Sequence, residues 1–209
     1  MHDFLLDHHI PGAEQIDEHG YSRTLRTDNG FAIVSMKPLV IEDAFELRVS
    51  GAAPTSLFHI SSAARRVFDT SADPELTMFA LRTDPLLGPC VEQRPGLRIP
   101  GEWDPFECAV AAILKEEGQD LRQTLLAHVV ERFGEKISKH GFALTSLFPT
   151  PGAIAAGNFA GLGISRSRVN TLRKLAQAVV DGEVDFSASS ECVIKSLTKV
   201  PGIDRSMAE

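Results

Sequence analysis

The feature that most constrains this chain is a change of hydrophobic period on either side of residues 84–101, a segment rich in proline and glycine. The segment holds four prolines and three glycines, a composition typical of linkers. Before it, apolar and polar residues alternate as in strands, and after it apolar residues recur every three to four positions, as in helices. We therefore predict an α+β domain at residues 1–94 and an all-α domain at residues 95–209.

The first domain is predicted to be an antiparallel β-sheet with two covering helices. Tyr21–Thr27 and Phe31–Lys37 flank Asp28-Asn29-Gly30, a composition that favours a hairpin, although three residues also allow a bulged loop. A third strand is expected at Ala44–Ser50, where apolar and polar side chains alternate. The helical spacing of apolar residues then predicts two covering helices, at residues 56–68 and 74–82.

The second domain shows helical patterns almost throughout. Asp104, with Glu107 three residues on, resembles a capping box that begins a helix. Further helices are expected at residues 120–133, at residues 150–156 and, most strongly, from Ser165 to the residues before Gly182. This last helix carries a basic cluster, which is either a solvated face or a phosphate-contacting one, made of Arg166, Arg168, Arg173 and Lys174.

The stretch Leu197–Ile203, with the sequence LTKVPGI, predicts the first helix and the turn of a helical hairpin. A helical run from Glu191 to Thr198 meets a proline and a glycine, and glycine turns the chain at positive φ without a Cβ clash. If a second helix begins there, its N–H groups and positive dipole end form a seat for a phosphate. The alternative is an ordinary helix-ending turn. The candidate binding residues are Val200, Pro201, Gly202 and Ile203.

Composition excludes several classes of protein. With 43% hydrophobic and 23% charged residues among 209, the chain is ordinary globular protein. Its apolar runs are too short for a bilayer and its first residues form no signal peptide, so we expect a cytoplasmic protein without a membrane partner. No histidine or cysteine spacing predicts a metal or another cofactor. Reduced structural thiols are expected at Cys90, Cys108 and Cys192.

The charge is distributed unevenly along the chain. The net charge of −7 argues against indiscriminate binding of nucleic acid. Residues 1–94 hold 8 basic and 14 acidic residues, whereas residues 95–209 hold 13 basic and 14 acidic ones. If either half meets phosphates, it is the second.

One block of sequence resembles a known family. PGLRIPGEWDPFECAVAAIL at residues 95–114, followed by Phe148-Pro149-Thr150-Pro151 and the VPGI turn, resembles 3-methyladenine DNA glycosylase II. This is the AlkA type within the helix-hairpin-helix DNA glycosylase superfamily. Residues 4–14 and the strands within residues 23–49 also resemble the family's small N-terminal domain.

The resemblance implies base excision repair of alkylated DNA. In such an enzyme a flipped-out base is released without a metal, and a carboxylate stabilises the cationic sugar. It also implies weak binding of double-stranded DNA at Val200, Pro201, Gly202 and Ile203, and places Phe4 in the base pocket. A short apolar helix explains Phe4 equally well.

The chain departs from the family's pattern at four places. The family's catalytic Asp lies beyond the second hairpin helix, so no residue up to Glu209 takes its role and we assign no catalytic residue. Asp204 stands where the second hairpin glycine usually lies, which puts a carboxylate at the phosphate seat. Ser206 replaces a pocket aromatic. Lys115–Gly118 replaces the segment that fills the gap left by the extruded base, so that two acids would face the duplex.

These departures leave three hypotheses: an active glycosylase, a non-catalytic DNA- or partner-binding module, and a truncated gene product without selected function. Losing one group that stabilises transition-state charge costs on the order of 3 to 4 kcal/mol. We therefore predict a family protein that is inactive by itself, with a helical domain incomplete at its C-terminus.

Truncation also has a predicted consequence for assembly. It would expose the apolar side chains of Leu197, Val200 and Ile203 and leave a sheet edge unpaired. We therefore expect either self-association into a homo-oligomer or disorder of residues 201–209.

Overall fold

The alternating residues near the N-terminus form the predicted antiparallel sheet, with one strand more than expected. The computed structural model describes residues 2–28, 30–137 and 143–209. Asn29, in the predicted hairpin turn, lies outside them. Neighbouring strands pair in the order β1-β2-β3-β4, with β2 and β3 in register from Tyr21↔Met36 to Thr27↔Gly30. The strands are β1 (Glu14–Asp17), β2 (Gly20–Thr27), β3 (Gly30–Leu39) and β4 (Ala44–Ser50).

The rest of the described chain is helical or irregular, so the α+β class is confirmed. The helices are α1 (His2–His8), α2 (Leu57–Val67), α3 (Pro74–Leu81), α4 (Gly88–Gln93), α5 (Pro105–Lys115), α6 (Arg122–Phe133), α7 (Pro151–Ala155), α8 (Arg166–Val180), α9 (Ser190–Leu197) and α10 (Arg205–Ala208).

Helix α4 corrects one prediction, because it lies inside the segment expected to be a linker. Its proline stands in the first turn, where the missing N–H costs nothing. Just before the helix, Asp84 Oδ1 accepts hydrogen bonds from the backbone N–H groups of Leu86 and Leu87. Proline and glycine therefore mark the start of a short helix here.

The described chain divides into two compact units. The first comprises Met1–Asp7 and Ala53–Trp103, and the second comprises His8–Ala52 and Asp104–Glu209. The sheet thus shares a unit with the C-terminal helices, whereas α2 and α3, which we expected to cover it, belong to the other unit. The domain boundary that we expected between residues 94 and 95 stays a prediction.

The core of the second unit is formed mainly by α5, α6 and α8. Apolar side chains at helical spacing on these helices are almost wholly removed from water, which is the main source of stability for amphipathic helices. Among them are Val110, Ile113, Leu114, Leu126, Val129, Leu172 and Leu175.

A buried ion cluster joins the sheet to α5 within this unit. Arg23 of β2 is 1% exposed. Its Nη1 donates to Glu14 Oε1 at 2.9 Å, and its Nη2 donates to both carboxylate oxygens of Glu107 at 2.9 Å. Tyr21 Oη also donates to Glu14 Oε1. Asp104 caps α5 as predicted, but Glu107 binds Arg23, so that the expected capping box is only half formed.

Two carboxylates share one guanidinium in this cluster. Burial raises the pKa of Glu107 to about 7, with Arg23 lowering it and Glu14 raising it further. Burial would by itself lower the pKa of Arg23, but the neighbouring acids raise it instead. Arg23 therefore stays charged, and Glu107 changes its protonation near neutral pH.

We predict that Glu107 makes stability depend on pH. Between the unfolded pKa near 4.5 and the folded pKa near 7, the folded state holds the proton more tightly, so the wild type loses stability as the pH rises. Glu107→Gln cannot ionise. Its stability starts below that of the wild type because Arg23 loses a carboxylate partner. Relative to the wild type it should then gain on the order of 3 kcal/mol between about pH 5 and about pH 8, as measured by urea unfolding. Glu135→Gln, which removes an exposed partner of Arg26, should show no such gain, and equal pH profiles for the two variants would contradict the prediction.

Candidate nucleic-acid interface

The C-terminal residues form the predicted helix and turn, followed by a four-residue helix. Helix α9 ends at Leu197, and the backbone N–H groups of Val200 and Ile203 bind the carbonyls of Leu197 and Val200. Asp204 is the N-cap of α10, and its Oδ1 accepts from the N–H of Met207 at 2.9 Å. We call residues 200–204 the hairpin turn.

The four predicted binding residues divide into two pairs. Val200 and Ile203 are buried at 5% and 7% exposure and belong to the core, whereas Pro201 and Gly202 are exposed. The buried pair thus holds the turn in place, and the exposed pair presents its backbone to solvent. That these residues bind DNA stays a prediction.

The same burial corrects our expectation about assembly. Leu197, Val200 and Ile203 were predicted to be exposed, but all three lie in the core of the second unit. Met207 and Ala208 of α10 pack against that core, so residues that follow the turn help to cover it. The expected exposure of these side chains was therefore wrong, and the sheet edge remains as the basis for the prediction of self-association.

Gly202 fixes the turn against α8. It has φ +94°, and a Cβ built on it would lie 2.1 Å from Thr171 Oγ1. Thr171 is itself buried, with its hydroxyl donating to the carbonyl of Ser167 at 3.3 Å. The contact admits no side chain, and the glycine predicted from turn chemistry is required for packing as well.

Charges of both signs surround the hairpin turn. Lys195 and Lys199 are exposed on the α9 side. Arg205 binds Glu209 through Nε at 2.7 Å, and this partner raises the pKa of Arg205. Asp204, as expected, puts a carboxylate at the start of α10, where it takes an N–H group that a phosphate would otherwise use. The turn therefore combines exposed backbone with an intrinsic negative charge.

The two acids of the Lys115–Gly118 segment are held by the start of α8. Glu116 Oε2 accepts from Arg168 Nη2 at 3.3 Å. Glu117 Oε1 accepts from the backbone N–H and the hydroxyl of Ser165. The sequence gives no signal for these contacts, which span about fifty residues. If these two acids face a duplex as predicted, they do so while bound to Arg168 and Ser165.

The remaining predicted pocket residues are placed on two helices. Phe4 lies on α1, partly exposed, in the first compact unit. Ser206 is an exposed residue of α10 in the second unit. A role for Phe4 in a base pocket stays a prediction.

Residues with metal-binding chemistry are scattered in the described ranges. Within residues 2–28, 30–137 and 143–209, histidine, cysteine and acidic side chains form no group of three or more that could hold a metal ion. Cys90, Cys108 and Cys192 are exposed thiols outside any disulfide. In the same ranges, no helix has the length and apolar character needed to cross a membrane.

Comparison with known proteins agrees with the resemblance seen in the sequence. Residues 1–104 match the AlkA N-terminal domain family. A "Probable bifunctional transcriptional activator/DNA repair enzyme AlkA" of Mycobacterium tuberculosis is 29% identical over 191 residues, which are 87% of this chain and 36% of that protein. "DNA-3-methyladenine glycosylase 2" of Escherichia coli is 28% identical over 211 residues, 98% of this chain and 72% of that protein. The chain thus spans about a third of the mycobacterial relative.

Solved structures share the fold. The 3-methyladenine DNA-glycosylase from Archaeoglobus fulgidus superposes with a TM-score of 0.79 at 20% identity, over 96% of this chain and 69% of that one. The Clostridium acetobutylicum 8-oxoguanine glycosylase/lyase superposes with a TM-score of 0.68 at 18% identity, over 94% of this chain and 67% of that one.

We predict that a methyl group at Gly202 destabilises the protein much more than one at Gly182. Both glycines have positive φ, but Gly182 has no atom within 4 Å of a built Cβ. Gly182→Ala should therefore cost about 1 kcal/mol of unfolding free energy from backbone strain alone. Gly202→Ala should cost roughly 2 to 4 kcal/mol because overpacking against Thr171 is added.

The double variant Thr171→Ala/Gly202→Ala tests whether contact with Thr171 causes the loss of stability expected for Gly202→Ala. It removes the threonine oxygen that the new methyl group meets, so it should recover part of the loss measured for Gly202→Ala by denaturant unfolding. Equal costs at Gly182 and Gly202 would show that the turn is not packed on α8 as described.

Proposed function

Since this chain belongs to the AlkA-type DNA-3-methyladenine glycosylase II family, we propose that its 209 residues form a duplex-DNA-binding framework for the repair of alkylated DNA. The mycobacterial relative is named as a DNA repair enzyme and the Escherichia coli relative as a 3-methyladenine glycosylase. We infer the same class of partner, double-stranded DNA with alkylated bases.

The hairpin turn is the observation that carries this proposal. Its exposed residues, Pro201 and Gly202, sit between the end of α9 and the start of α10, while Val200 and Ile203 anchor it in the core. Of the two exposed residues only Gly202 has a backbone N–H group, because proline has none. An N–H group held rigidly beside a helix start binds a phosphate oxygen without losing further conformational entropy. Lys195 and Lys199, which precede the turn and are exposed, add positive charge.

Asp204 acts against this binding in our proposal. Its carboxylate is exposed and occupies the cap of α10. A unit negative charge about 4 Å from a phosphate costs about 1 kcal/mol in water. Binding by the unmodified chain is therefore weak, and the charge of one side chain limits it.

We further propose that residues 1–209 release no alkylated base by themselves. The acids nearest the hairpin are engaged in local contacts, Asp204 with the N–H of Met207 and Glu209 with Arg205. One oxygen of each carboxylate thus serves a structural contact, and we assign neither acid a role in bond cleavage. In this proposal the chain is a non-catalytic DNA-binding module.

We predict that Asp204→Asn strengthens binding to duplex DNA about fivefold, which corresponds to about 1 kcal/mol. Asparagine caps a helix as well as aspartate does, so thermal stability should stay within a few tenths of a kcal/mol. Binding of a fluorescent duplex at low salt measures the change, and wild-type binding should weaken steeply as salt is added.

Asp73→Asn is the matched control. Asp73 is also an N-cap, accepting from Glu75 and Leu76 at the start of α3, and its replacement makes the same change of net charge. An equal gain from Asp73→Asn would show that net charge, and not the hairpin turn, governs binding. A wild type without salt-dependent binding would refute the proposed function.

We predict no release of 3-methyladenine from methylated duplex DNA above the spontaneous rate by the purified 209-residue protein. Asp204→Asn should also leave this result unchanged, because we give Asp204 no role in bond cleavage. Release that depends on the protein and is lost in Asp204→Asn would assign catalysis to this carboxylate and overturn the proposal of a non-catalytic module.

A further inference from the structure

A second cationic feature lies on α8, away from the hairpin turn. The loop of residues 158–164 and the first turns of α8 enclose a cavity of about 380 Å³. Its polar side chains are Asn158, Arg166, Asn170 and Arg173, and no acidic residue lines it. The net charge of the chain is −7. A cavity lined only by cationic and neutral side chains therefore has a more positive electrostatic potential than the average surface, which favours the binding of an anion.

The walls of this cavity are held in place by contacts within the chain. Arg173 Nη2 donates to the carbonyl of Gly157 at 2.8 Å, and its guanidinium lies 5.5 Å from the ring centre of Phe159. Phe159 is buried and packs against Phe133, with ring centres 4.7 Å apart. Asn158 Oδ1 accepts from the N–H of Ala160. One arginine is thus fixed before any ligand binds, which lowers the entropy cost of binding.

Arg166 supplies the available charge. It is exposed and, within the described residues, makes no hydrogen bond or ion pair. The neighbouring acids Glu116 and Glu117 are bound to Arg168 and Ser165. At the start of α8 the N–H groups of Ser165 and Arg168 are occupied by Glu117 and by Ser165 Oγ. The arginine side chains therefore provide the binding capacity. Arginine binds phosphate oxygens through two N–H groups at once, which suits a phosphate better than a single ammonium.

Helical geometry relates the cavity to the residue of α8 that contacts the hairpin turn. Residues 166, 170 and 173 share one face of α8, because residues three and four apart are neighbours on a helix surface. Thr171, which contacts Gly202, lies on the same helix but roughly 130° around its axis from that face. A duplex that contacts the hairpin turn would therefore have to extend around α8 to reach the cavity.

We propose that the cavity binds a phosphodiester group of the nucleic-acid backbone, as a second phosphate contact in addition to the hairpin turn. This inference rests on the proposed function and deepens it. Arg166 and Asn170 donate to the phosphate oxygens, and Arg173 supplies fixed charge at the wall.

Three variants that each make the net charge more negative by one unit test the inference. Arg166→Gln and Asn170→Asp change the cavity, and Arg132→Gln removes an exposed arginine from the last turn of α6. Affinity for a fluorescent duplex is measured over a range of salt concentrations, with thermal unfolding as a check that each variant is folded. Arg166→Gln should reduce the slope of log affinity against log salt by roughly one. Asn170→Asp should weaken binding at low salt more than Arg132→Gln does, because it puts a carboxylate in the cavity.

The outcomes separate this inference from the proposed function. If the wild type shows a steep salt slope and both cavity variants behave like Arg132→Gln, the inference is overturned while the proposed function stands. If the wild type shows no salt-dependent binding, both fail together. Adenosine monophosphate is the probe for the other source of phosphate: binding that needs Arg166 and does not compete with the duplex would overturn the assignment to the nucleic-acid backbone.

Discussion

The second unit depends on one buried guanidinium. Arg23 joins β2 to α5 across 84 positions of sequence through Glu107, and it joins β1 through Glu14. Removing one partner of a buried ion pair costs about 3 to 5 kcal/mol because the other charge is left unpaired. The sheet and α5 are therefore joined by an interaction that is costly to break, and residues 53–103, which belong to the first unit, lie between them in the chain.

The sequence predicted what local periodicity determines. β2, β3 and β4 and helices α5 and α8 follow from alternation, helical spacing and caps such as Asp104. β1 was missed because four residues, EQID, give too short a pattern. A helix was expected from residue 120, but α6 begins at Arg122, and Leu121 before its first turn is exposed. Local patterns predict the helices and the longer strands, but not the residues at their ends.

The candidate site was predictable only in its local part. The turn at Gly202 follows from its glycine and proline, whereas the packing of that glycine on Thr171 depends on tertiary structure. Glu107 is a second example, in which a contact distant in sequence replaces the predicted local one. Its spacing from Asp104 favours a capping role, but a buried arginine distant in sequence competes for its carboxylate and prevails, since a charge-assisted bidentate pair is stronger than a single cap hydrogen bond.

Local charge, and not the net charge of −7, decides whether a phosphate can approach this chain. At physiological ionic strength, interactions between exposed charges are largely screened beyond about 8 Å. Within that distance, pairing has already neutralised Arg168 through Glu116 and Arg205 through Glu209. Arg166 and Lys199 have no such partner among the described residues, while Asp204 is the opposing charge at the turn. Arg166 and Lys199 are therefore the charges available for the phosphate contacts that we propose.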